Sequence, residues 1–269
     1  MNSFSTSPYL RVIASLSFDC MKVTKLFMKQ QHGISAKECL ALTLQRGCGI
    51  LGDINALPGS PRQVLIASTS TLAEFGLKPG ELGENILIDA EIEHFSSGMV
   101  LQVGSEALIR LSFLCEPCGY LDKIQPGLAK RIKGKRGFLG IVVRDGEIAS
   151  EDKISVTPYR LKAIPNEAKG RFSEFVQRIP LGKVVKTTEL LFAMGVSKAY
   201  SRAIPTFLKK ADSRLPIHRI VRADGRLLSE YIVEQERSLV QEGIEIKLDR
   251  IANPNFYWES SQFHELGNF

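Results

Sequence analysis

Two cysteines in the middle of the chain have the clearest potential for chemistry. Cys115 and Cys118 form a Cys-x-x-Cys pair, which is a spacing of zinc ligands and of redox-active dithiols. A second metal-binding pair is missing from the sequence, which argues against structural zinc. A redox role remains open, because one thiol can resolve a persulfide or disulfide formed on the other.

Positive charge is concentrated in the last third of the chain. The whole sequence has a net charge of +6, yet between Arg178 and Arg226 eleven Lys and Arg residues stand against three acids. A basic stretch of this length is typical of proteins that neutralise DNA phosphates and release counterions. The alternative is a solvated basic face that binds no ligand.

Length and composition indicate a globular chain of two domains. The 269 residues are 44% hydrophobic and 24% charged, and no apolar run approaches the length of a membrane span. The five cysteines are odd in number, which fits reduced thiols and a cytoplasmic protein. Residues 1–20 lack a charged start and a cleavage site for a signal peptide, so we predict a poorly ordered extension there.

The hydrophobic pattern predicts strands in the first half of the chain. Short apolar or alternating runs begin at Gln63, Asn85, Ala107 and Leu139, and one helix is predicted from Thr69 to Phe75. So many short strands need protected edges, which favours a mainly-β barrel. Two prolines and weak periodicity then predict a linker at residues 157–168.

Helical periodicity follows the linker. A short helix is predicted around Phe172, and two more are predicted from Thr188 to Met194 and from Ser197 to Lys210, separated by Gly195. Two helices joined by a short turn predict a helix-turn-helix, within a helical, winged helix-turn-helix-like domain. The multidomain organisation is therefore an extension (1–20), a β-barrel domain (21–156), a linker (157–168), a DNA-binding domain (169–250) and a C-terminal tail (251–269).

Ordered motifs in the second domain match a known pattern. They are Ile179-Pro-Leu-Gly-Lys-Val, Ser201-Arg-Ala-Ile, Leu215-Pro-Ile-His-Arg-Ile-Val, Asp224-Gly and Gln241-Glu-Gly. In this order they resemble the DNA-binding domain of the O6-alkylguanine-DNA alkyltransferases, whose Pro-Cys-His-Arg thiolate accepts the alkyl group of a flipped guanine. Ile217 stands at the cysteine position, and its alkyl side chain has no lone pair. The resemblance is thus to alkyltransferase-like proteins, which recognise modified guanine without transferring the alkyl group.

The resemblance implies roles for individual residues. Arg202 matches the arginine that inserts into the base stack, and His218 and Glu242 match the pair that activates the thiol. Thr187 and Ala211 replace a tyrosine and an asparagine of the family, which weakens the base-flipping apparatus. The predicted DNA-binding residues are Arg202, Lys186, Thr187, Ser201, Ala203, Ile217, His218 and Arg219.

A second resemblance covers most of residues 23–155. Its motifs are Gly49-Ile-Leu-Gly-Asp-Ile-Asn, Arg62-Gln-Val-Leu-Ile, Leu77-Lys-Pro-Gly-Glu-Leu-Gly-Glu-Asn-Ile, Glu116-Pro-Cys and Gly146-Glu-Ile-Ala-Ser-Glu-Asp. They resemble the MOSC domain, a β-barrel named for the C-terminal region of molybdenum cofactor sulfurase. Its single cleft cysteine is proposed to carry sulfur or to ligate molybdenum in a molybdopterin cofactor.

The match places Cys118 at that cysteine, as the predicted catalytic residue and metal ligand. The predicted cofactor-binding residues are Asp53, Arg62, Glu84 and Asn85. Of these, Arg62 suits a cofactor phosphate, whereas Asp53 can equally be a turn residue. Asn55 and Gly83 replace a common histidine and arginine, which weakens an anionic cofactor site.

Three functions follow as hypotheses. In the first, the chain binds double-stranded DNA with O6-alkylguanine or another modified base, and Cys118 acts there in sulfur transfer or in molybdenum-dependent reduction of an N-hydroxylated base. In the second, it is a non-enzymatic damage sensor that recruits repair proteins. In the third, the MOSC-like domain handles free small molecules and the basic domain only localises it. Molybdopterin is the expected cofactor, and neither pyridoxal phosphate nor a membrane is an expected partner.

Overall fold

Residues 21–31 and 33–269 are described by the computed structural model, and the extension predicted for residues 1–20 lies outside them. The first half is a curled eight-stranded sheet in the order β11-β7-β8-β9-β5-β6-β1-β2, beside a three-stranded sheet in the order β10-β3-β4. The strands are β1 Val23–Met28, β2 Lys37–Cys39, β3 Ala41–Gln45, β4 Gly49–Ile50, β5 Val64–Ser68, β6 Ile86–Ile88, β7 Met99–Val103, β8 Ala107–Leu114, β9 Phe138–Arg144, β10 Gly146–Ala149 and β11 Ile154–Arg160.

The curl of the large sheet brings β11 close to β1. Neighbouring strands are antiparallel except β5 and β6, which are parallel. A backbone bridge between Lys22 and Lys153 joins the start of β1 to the start of β11. The predicted mainly-β architecture is confirmed, and the curl of the sheet brings the start of β11, at one edge, to the start of β1, the strand next to the other edge.

The central strands are apolar on both faces because both faces are covered. Along β5, Val64 and Ile66 pack into the interior cluster of the curled sheet, while Leu65 packs into a second cluster formed mainly by the C-terminal helices. Phe113 and Leu139 contribute to that second cluster from β8 and β9. Strands buried on both faces read as continuous apolar runs rather than alternating ones.

The helix predicted from Thr69 to Phe75 is confirmed as α1, and its ends explain why. The Ser68 hydroxyl accepts a hydrogen bond from the Ser70 N–H, and Gly76 takes the left-handed conformation after the last turn. Both are standard helix-ending devices encoded locally in sequence. Two short helices, α2 Leu121–Ile124 and α3 Leu128–Arg131, precede β9.

The C-terminal part contains helices α4 Ala168–Arg178, α5 Thr187–Ala193, α6 Ile204–Lys209 and α7 Gln235–Gln241. It also has a parallel pair, β12 Val185–Lys186 with β13 Ile220–Val221, and a hairpin of β14 Ile246–Lys247 with β15 Arg250–Ile251. Short 3-10 segments cover 92–94, 217–219, 254–256 and 260–263. Among the described residues, no helix is long and apolar enough to cross a membrane.

The helix predicted from Ser197 to Lys210 is not continuous. Residues Lys198–Ala203 form a 3-10 segment, and α6 follows it. Pro205 explains the break, because proline lacks an N–H and its ring clashes with the preceding turn, so it is tolerated only in the first turn of a helix. The two-helix prediction therefore holds only in part.

The predicted linker and tail both pack against the rest of the molecule. Strand β11 continues to Arg160, which pairs with Met99, so residues 157–160 lie in the sheet. In the tail, Phe263 is buried in the C-terminal helical cluster, and a ring nitrogen of His264 hydrogen-bonds the Ala193 carbonyl oxygen at 3.0 Å. The β-sheet half and the helical half therefore contribute side chains to one shared apolar cluster, which contains Phe113.

We expect Gly98→Ala to be markedly more destabilising than Gly134→Ala. Both glycines have positive φ angles, +86° and +84°, but a Cβ on Gly98 would overlap the Leu161 carbonyl oxygen, whereas a Cβ on Gly134 meets nothing within 4 Å. Backbone strain alone should cost about 1 kcal/mol at Gly134, and the added clash should raise the cost at Gly98 to about 3 kcal/mol. Urea unfolding of both variants measures this, and equal losses would contradict it.

Candidate functional site

Cys118 lies at the junction of two clefts. It is exposed in the turn that follows β8 and precedes α2. The first cleft, here the Cys118 cleft, encloses about 520 Å³, and the second, here the Arg136 cleft, encloses about 340 Å³. Cys118 and Asn55 line both of them. Volumes of this order are those of ligand sites.

The two halves of the chain form opposite walls of the Cys118 cleft. The β-sheet half contributes Asn55, Leu57, Ser60, Arg62, Glu116, Pro117 and Cys118. The helical half contributes Phe192, Gly195, Val196, Ser197 and Tyr200. One wall is therefore largely polar and carries the thiol, and the other is largely apolar and aromatic.

Arg136 places a guanidinium beside the Cys118 sulfur. Its Nη1 donates to Cys118 Sγ at 3.5 Å and to the Glu116 carbonyl at 2.9 Å, and its Nη2 donates to the Leu82 carbonyl at 2.9 Å. These backbone bonds hold the cation in place, so an anion formed or bound at the sulfur meets a fixed positive charge. Sequence reasoning missed Arg136, although an arginine two residues before the apolar start of β9 was a usable signal.

Glu116 joins the two halves through two arginines. Its carboxylate accepts a hydrogen bond from Arg62 at 2.8 Å and another from Arg171, which is fully buried on α4 and stacks on the Phe113 ring at 4.0 Å. Arg62 also donates to the Gly195 carbonyl in the helical half at 3.1 Å. Burial would raise the pKa of Glu116, but the bonds and charges of the two arginines outweigh it and lower that pKa.

Cys115 differs from Cys118 in its surroundings. Its side chain is buried in the shared core, and Arg62 Nη2 donates to its sulfur at 3.6 Å. Burial raises the pKa of the Cys115 thiol, since desolvation penalises the thiolate. Cys118 is therefore the accessible thiol of the pair.

Asp53 and Asn85 lie behind the clefts rather than on their walls. The Asp53 carboxylate accepts from the Lys29 N–H at 2.9 Å, from the Asn55 N–H at 2.8 Å and from Asn85 Nδ2 at 3.0 Å. Asn85 Oδ1 accepts from the Leu65 N–H at 3.0 Å. Their observed contacts hold the loop that carries Asn55 against β1 and β5.

Glu84 is buried beside the Arg136 cleft. Its Oε1 accepts from the Gly80 N–H at 2.6 Å, while its Oε2, like Arg136 Nε, has no hydrogen-bond partner in the described part of the chain. Burial raises the pKa of Glu84, with the Gly80 hydrogen bond and the Arg136 charge acting in the opposite direction. Two unpartnered polar atoms of opposite character thus lie close to the site.

The basic stretch separates into paired and unpaired cations. Of its eleven Lys and Arg residues, seven contact an acid, a carbonyl or an aromatic ring; these are Arg178, Lys183, Lys186, Arg214, Arg219, Arg222 and Arg226. The other four, Lys198, Arg202, Lys209 and Lys210, are exposed, and the described residues offer their side chains no partner. Lys198 and Arg202 lie on the 3-10 segment, Lys209 lies on α6, and Lys210 directly follows α6.

Glu242 binds the side chains of both His218 and Arg219. The Glu242 carboxylate forms a hydrogen bond with His218 Nε2 at 2.7 Å and accepts a bidentate pair of hydrogen bonds from Arg219. It also accepts a hydrogen bond from the Gly182 N–H at 3.2 Å. Burial acts to raise the pKa of Glu242, but these partners lower it to about 2. The carboxylate therefore stays ionised and ties three loops together.

The remaining predicted DNA-binding residues fall into two groups. Thr187 and Ser201 line a third cleft of about 520 Å³, here the Tyr231 cleft, whereas the Lys186 ammonium lies 4.5 Å from the centre of the Tyr257 ring. Ala203 ends the 3-10 segment, and Ile217 is half-buried against the helical core. The structure thus brings Thr187 and Ser201 together, apart from His218 and Arg219.

A family model matches the part of the chain that carries Cys118. Residues 57–155 match the MOSC domain. The matched range contains Arg62, Glu84, Cys118 and Arg136, while Asn55 lies just before it. Among curated proteins, no match is found.

Solved structures similar to the chain include MOSC-like and alkyltransferase-like proteins. The Bacillus subtilis YuaD protein is 19% identical, with 53% of this chain and 97% of that chain covered and a TM-score of 0.45. YiiM from Geobacillus stearothermophilus is 13% identical, with coverages of 82% and 98% and a TM-score of 0.43. Atl1 of S. pombe, in a complex with damaged DNA containing O6-carboxymethylguanine, is 23% identical, with coverages of 34% and 94% and a TM-score of 0.31.

Replacing the central carboxylate should destabilise the contact between the MOSC domain and the helical half. Glu116→Gln leaves Arg171 buried without an anion, so we expect the free energy of unfolding to fall by about 2 kcal/mol, a value reduced for the partial exposure of Glu116. Glu74→Gln, which breaks the exposed pair with Lys135, is the control and should cost about 0.5 kcal/mol or less. Urea unfolding at neutral pH gives both values.

The same variant should change the response to acid. Because the pKa of Glu116 is lowered in the folded state, its contribution is present above its ordinary value of 4.5 and is lost as the pH falls through the folded value. The difference between wild type and Glu116→Gln should therefore shrink below that pH. A difference that grows as the pH falls would contradict the assigned ion pair.

Proposed function

We propose that this protein binds double-stranded DNA through the 3-10 segment and α6, and that Cys118 of the MOSC domain is the functional thiol beside the bound DNA. The observation that carries the proposal is the distribution of unpaired cations. Lys198, Arg202, Lys209 and Lys210 are the exposed cations of the basic stretch without a partner in the described residues. Cations that are free of internal partners are the ones available to displace counterions from phosphates.

The expected DNA target is a duplex with a modified base such as O6-alkylguanine. Arg202 supports this reading, because it is exposed, unpaired and able to fill the gap left by an extruded base. Ile217 cannot accept an alkyl group, and His218 is already engaged by Glu242. The protein would therefore recognise the modified base without transferring its alkyl group.

Two forms of Cys118 chemistry fit its surroundings. As a sulfur carrier, the exposed thiol would hold a sulfane sulfur while Arg136 stabilises the adjacent negative charge. As a ligand, it would supply the soft sulfur donor of a molybdenum cofactor. In both forms Cys115, buried and more weakly acidic, is the less reactive thiol.

The Arg136 cleft offers groups that would suit a molybdopterin-type cofactor. Cys118 offers one soft ligand, and Lys29 and Arg136 offer positive charge for anionic groups. Glu84 is buried beside this cleft, its Oε2 has no partner among the described residues, and the Arg136 charge acts to lower its pKa. When bound, such a group supplies two-electron redox chemistry. Lys29 and Arg136 would hold its anionic groups, and Asn55 would orient a substrate bound beside it.

A second candidate function is damage sensing without catalysis. The observation that favours it is the internal use of Arg62, whose guanidinium is neutralised by Glu116 and bonded to the Gly195 carbonyl. A phosphate-bearing cofactor would have to compete with those bonds. In this candidate both halves bind DNA or repair proteins, and Cys118 is dispensable.

Removing the four unpaired cations should weaken DNA binding. We expect the variant with alanine at 198, 202, 209 and 210 to lower the slope of log K against log salt by about 3 to 4, since each phosphate contact contributes about 0.9. Fluorescence anisotropy with a labelled duplex at several salt concentrations measures the slope. The matched control carries alanine at four exposed lysines of the β-sheet half, Lys78, Lys130, Lys133 and Lys153.

The control variant should keep a slope within about 1 of the wild type. Equal changes in both variants would mean that binding follows total charge rather than this surface. That result would remove the 3-10 segment and α6 as the DNA interface.

Cys118→Ala should separate the two candidate functions. We expect the substitution to abolish a persulfide formed with inorganic polysulfide, or to lower the molybdenum content at least about tenfold, because the soft donor is lost. DNA affinity should stay within about twofold of the wild type, because Cys118 contributes no charge to phosphate binding. Intact-mass spectrometry and elemental analysis provide the readouts, and Cys39→Ala, at a half-buried cysteine on β2, is the control.

Absence of both signals from the wild-type protein would favour the sensor. The same conclusion would follow if Cys118→Ala and wild type carried equal sulfur and molybdenum.

A further inference from the structure

The 3-10 segment separates the Cys118 cleft from the Tyr231 cleft. Side chains three residues apart share a face of a 3-10 helix. Ser197 and Tyr200 line the Cys118 cleft, whereas Ser201 and Ile204 line the Tyr231 cleft. Arg202 belongs to neither set and is exposed on the ridge between them.

Tyr200 gives the Cys118 cleft an aromatic wall. The residue is 41% exposed, and Phe192 and Val196 line the same cleft. The tyrosine stands between Lys198 and Arg202 in the chain, and both of these cations are unpaired in the described residues. An exposed ring flanked by free cations is the combination that binds single nucleotides, through stacking and phosphate contact.

The opposite wall offers hydrogen bonds and the thiol. Asn55 donates from Nδ2 to Asp53 Oδ1 at 3.1 Å, which leaves its Oδ1 and one N–H available. One free acceptor and one free donor on a carboxamide match the edge of a nucleobase. Cys118 lines the same wall.

We propose that the Cys118 cleft receives a nucleobase turned out of the DNA duplex, with its plane on Tyr200, its edge on Asn55 and an exocyclic group facing Cys118. The inference rests on the proposed function, and it names where the bound base goes. Arg202 on the ridge occupies the vacated place in the stack. The base then enters on the side of the ridge where the thiol lies.

The Tyr231 cleft is the competing destination. Its charged residues are largely engaged with neighbours, since Arg226 pairs with Asp224 at 2.7 Å and Arg222 pairs with Glu230. No cysteine lines it, so a base placed there would lie against Ile204, Pro205 and Tyr231 without a nucleophile. The chemistry available to the protein therefore favours the Cys118 side.

Disulfide cross-linking tests the destination of the base. The probe is a DNA duplex in which one guanine carries, on its O6 atom, a short alkyl tether ending in an activated disulfide. A thiolate that reaches the tether displaces the small leaving thiol and forms a protein–DNA disulfide. Gel shift under non-reducing conditions measures the yield, and peptide mass spectrometry identifies the cysteine.

The expected result is a cross-link at Cys118 in the wild type. Tyr200→Ala should lower the yield at least about fivefold, and Tyr200→Phe, which keeps the ring, should restore it. Tyr231→Ala should leave the yield within about twofold. Thermal unfolding of each variant separates loss of stacking from loss of folding.

Three results would overturn the inference while leaving the proposed function intact. They are duplex binding without any cross-link at Cys118, a yield that does not depend on Tyr200, and a loss in Tyr231→Ala in place of Tyr200→Ala. Failure of the wild type to bind the duplex in anisotropy measurements would instead overturn the proposed function. Cross-linking therefore tests the destination of the base, and anisotropy on the same samples tests DNA binding.

Discussion

The shared carboxylate of Glu116 is the interaction on which the arrangement of the molecule depends. It accepts hydrogen bonds from Arg62 of the MOSC domain and from Arg171 of helix α4. Arg171 is fully buried, and a buried guanidinium without an anion would be costly, so the carboxylate makes the packing of the two halves possible. The same residue, through its backbone carbonyl, positions Arg136 beside Cys118. Within three residues, therefore, Glu116 joins the two halves and Cys118 supplies the accessible thiol.

This arrangement has consequences for both halves. Arg62 is used to hold the halves together, so positive charge near the thiol comes mainly from Arg136, supplemented by Lys29 in the adjoining cleft. In the helical half, most basic residues are paired internally, and the unpaired ones cluster on one short stretch of chain. Because Tyr200 lies on that stretch and also lines the Cys118 cleft, the proposed DNA surface and the thiol are neighbours.

Much of the local structure could be predicted from sequence because its causes are local. Helix α1 follows from Ser68 and Gly76 at its ends, and the central strands follow from continuous apolar runs. The 3-10 segment before Pro205 was read as helix, because the hydrophobic spacing of the two is similar over one or two turns. The turn role of Asp53 could be predicted, and its carboxylate accepts from the Asn55 N–H two residues away. The contacts of Asp53 with Lys29 and of Asn85 with Leu65 could not be predicted, since these partners lie 24 and 20 residues away.

The sequence by itself determined that residue 217 cannot accept an alkyl group, because the Ile217 side chain has no lone pair in any fold. It also determined the MOSC resemblance and the location of the basic stretch. Tertiary structure alone decided which cations remain free and which thiol is accessible. The reason is physical: the ion pairs of Glu116 join residues 54 and 55 positions apart, and burial of Cys115 arises from packing between the two halves. Contacts of that kind depend on the whole fold, which the local pattern of residues does not encode.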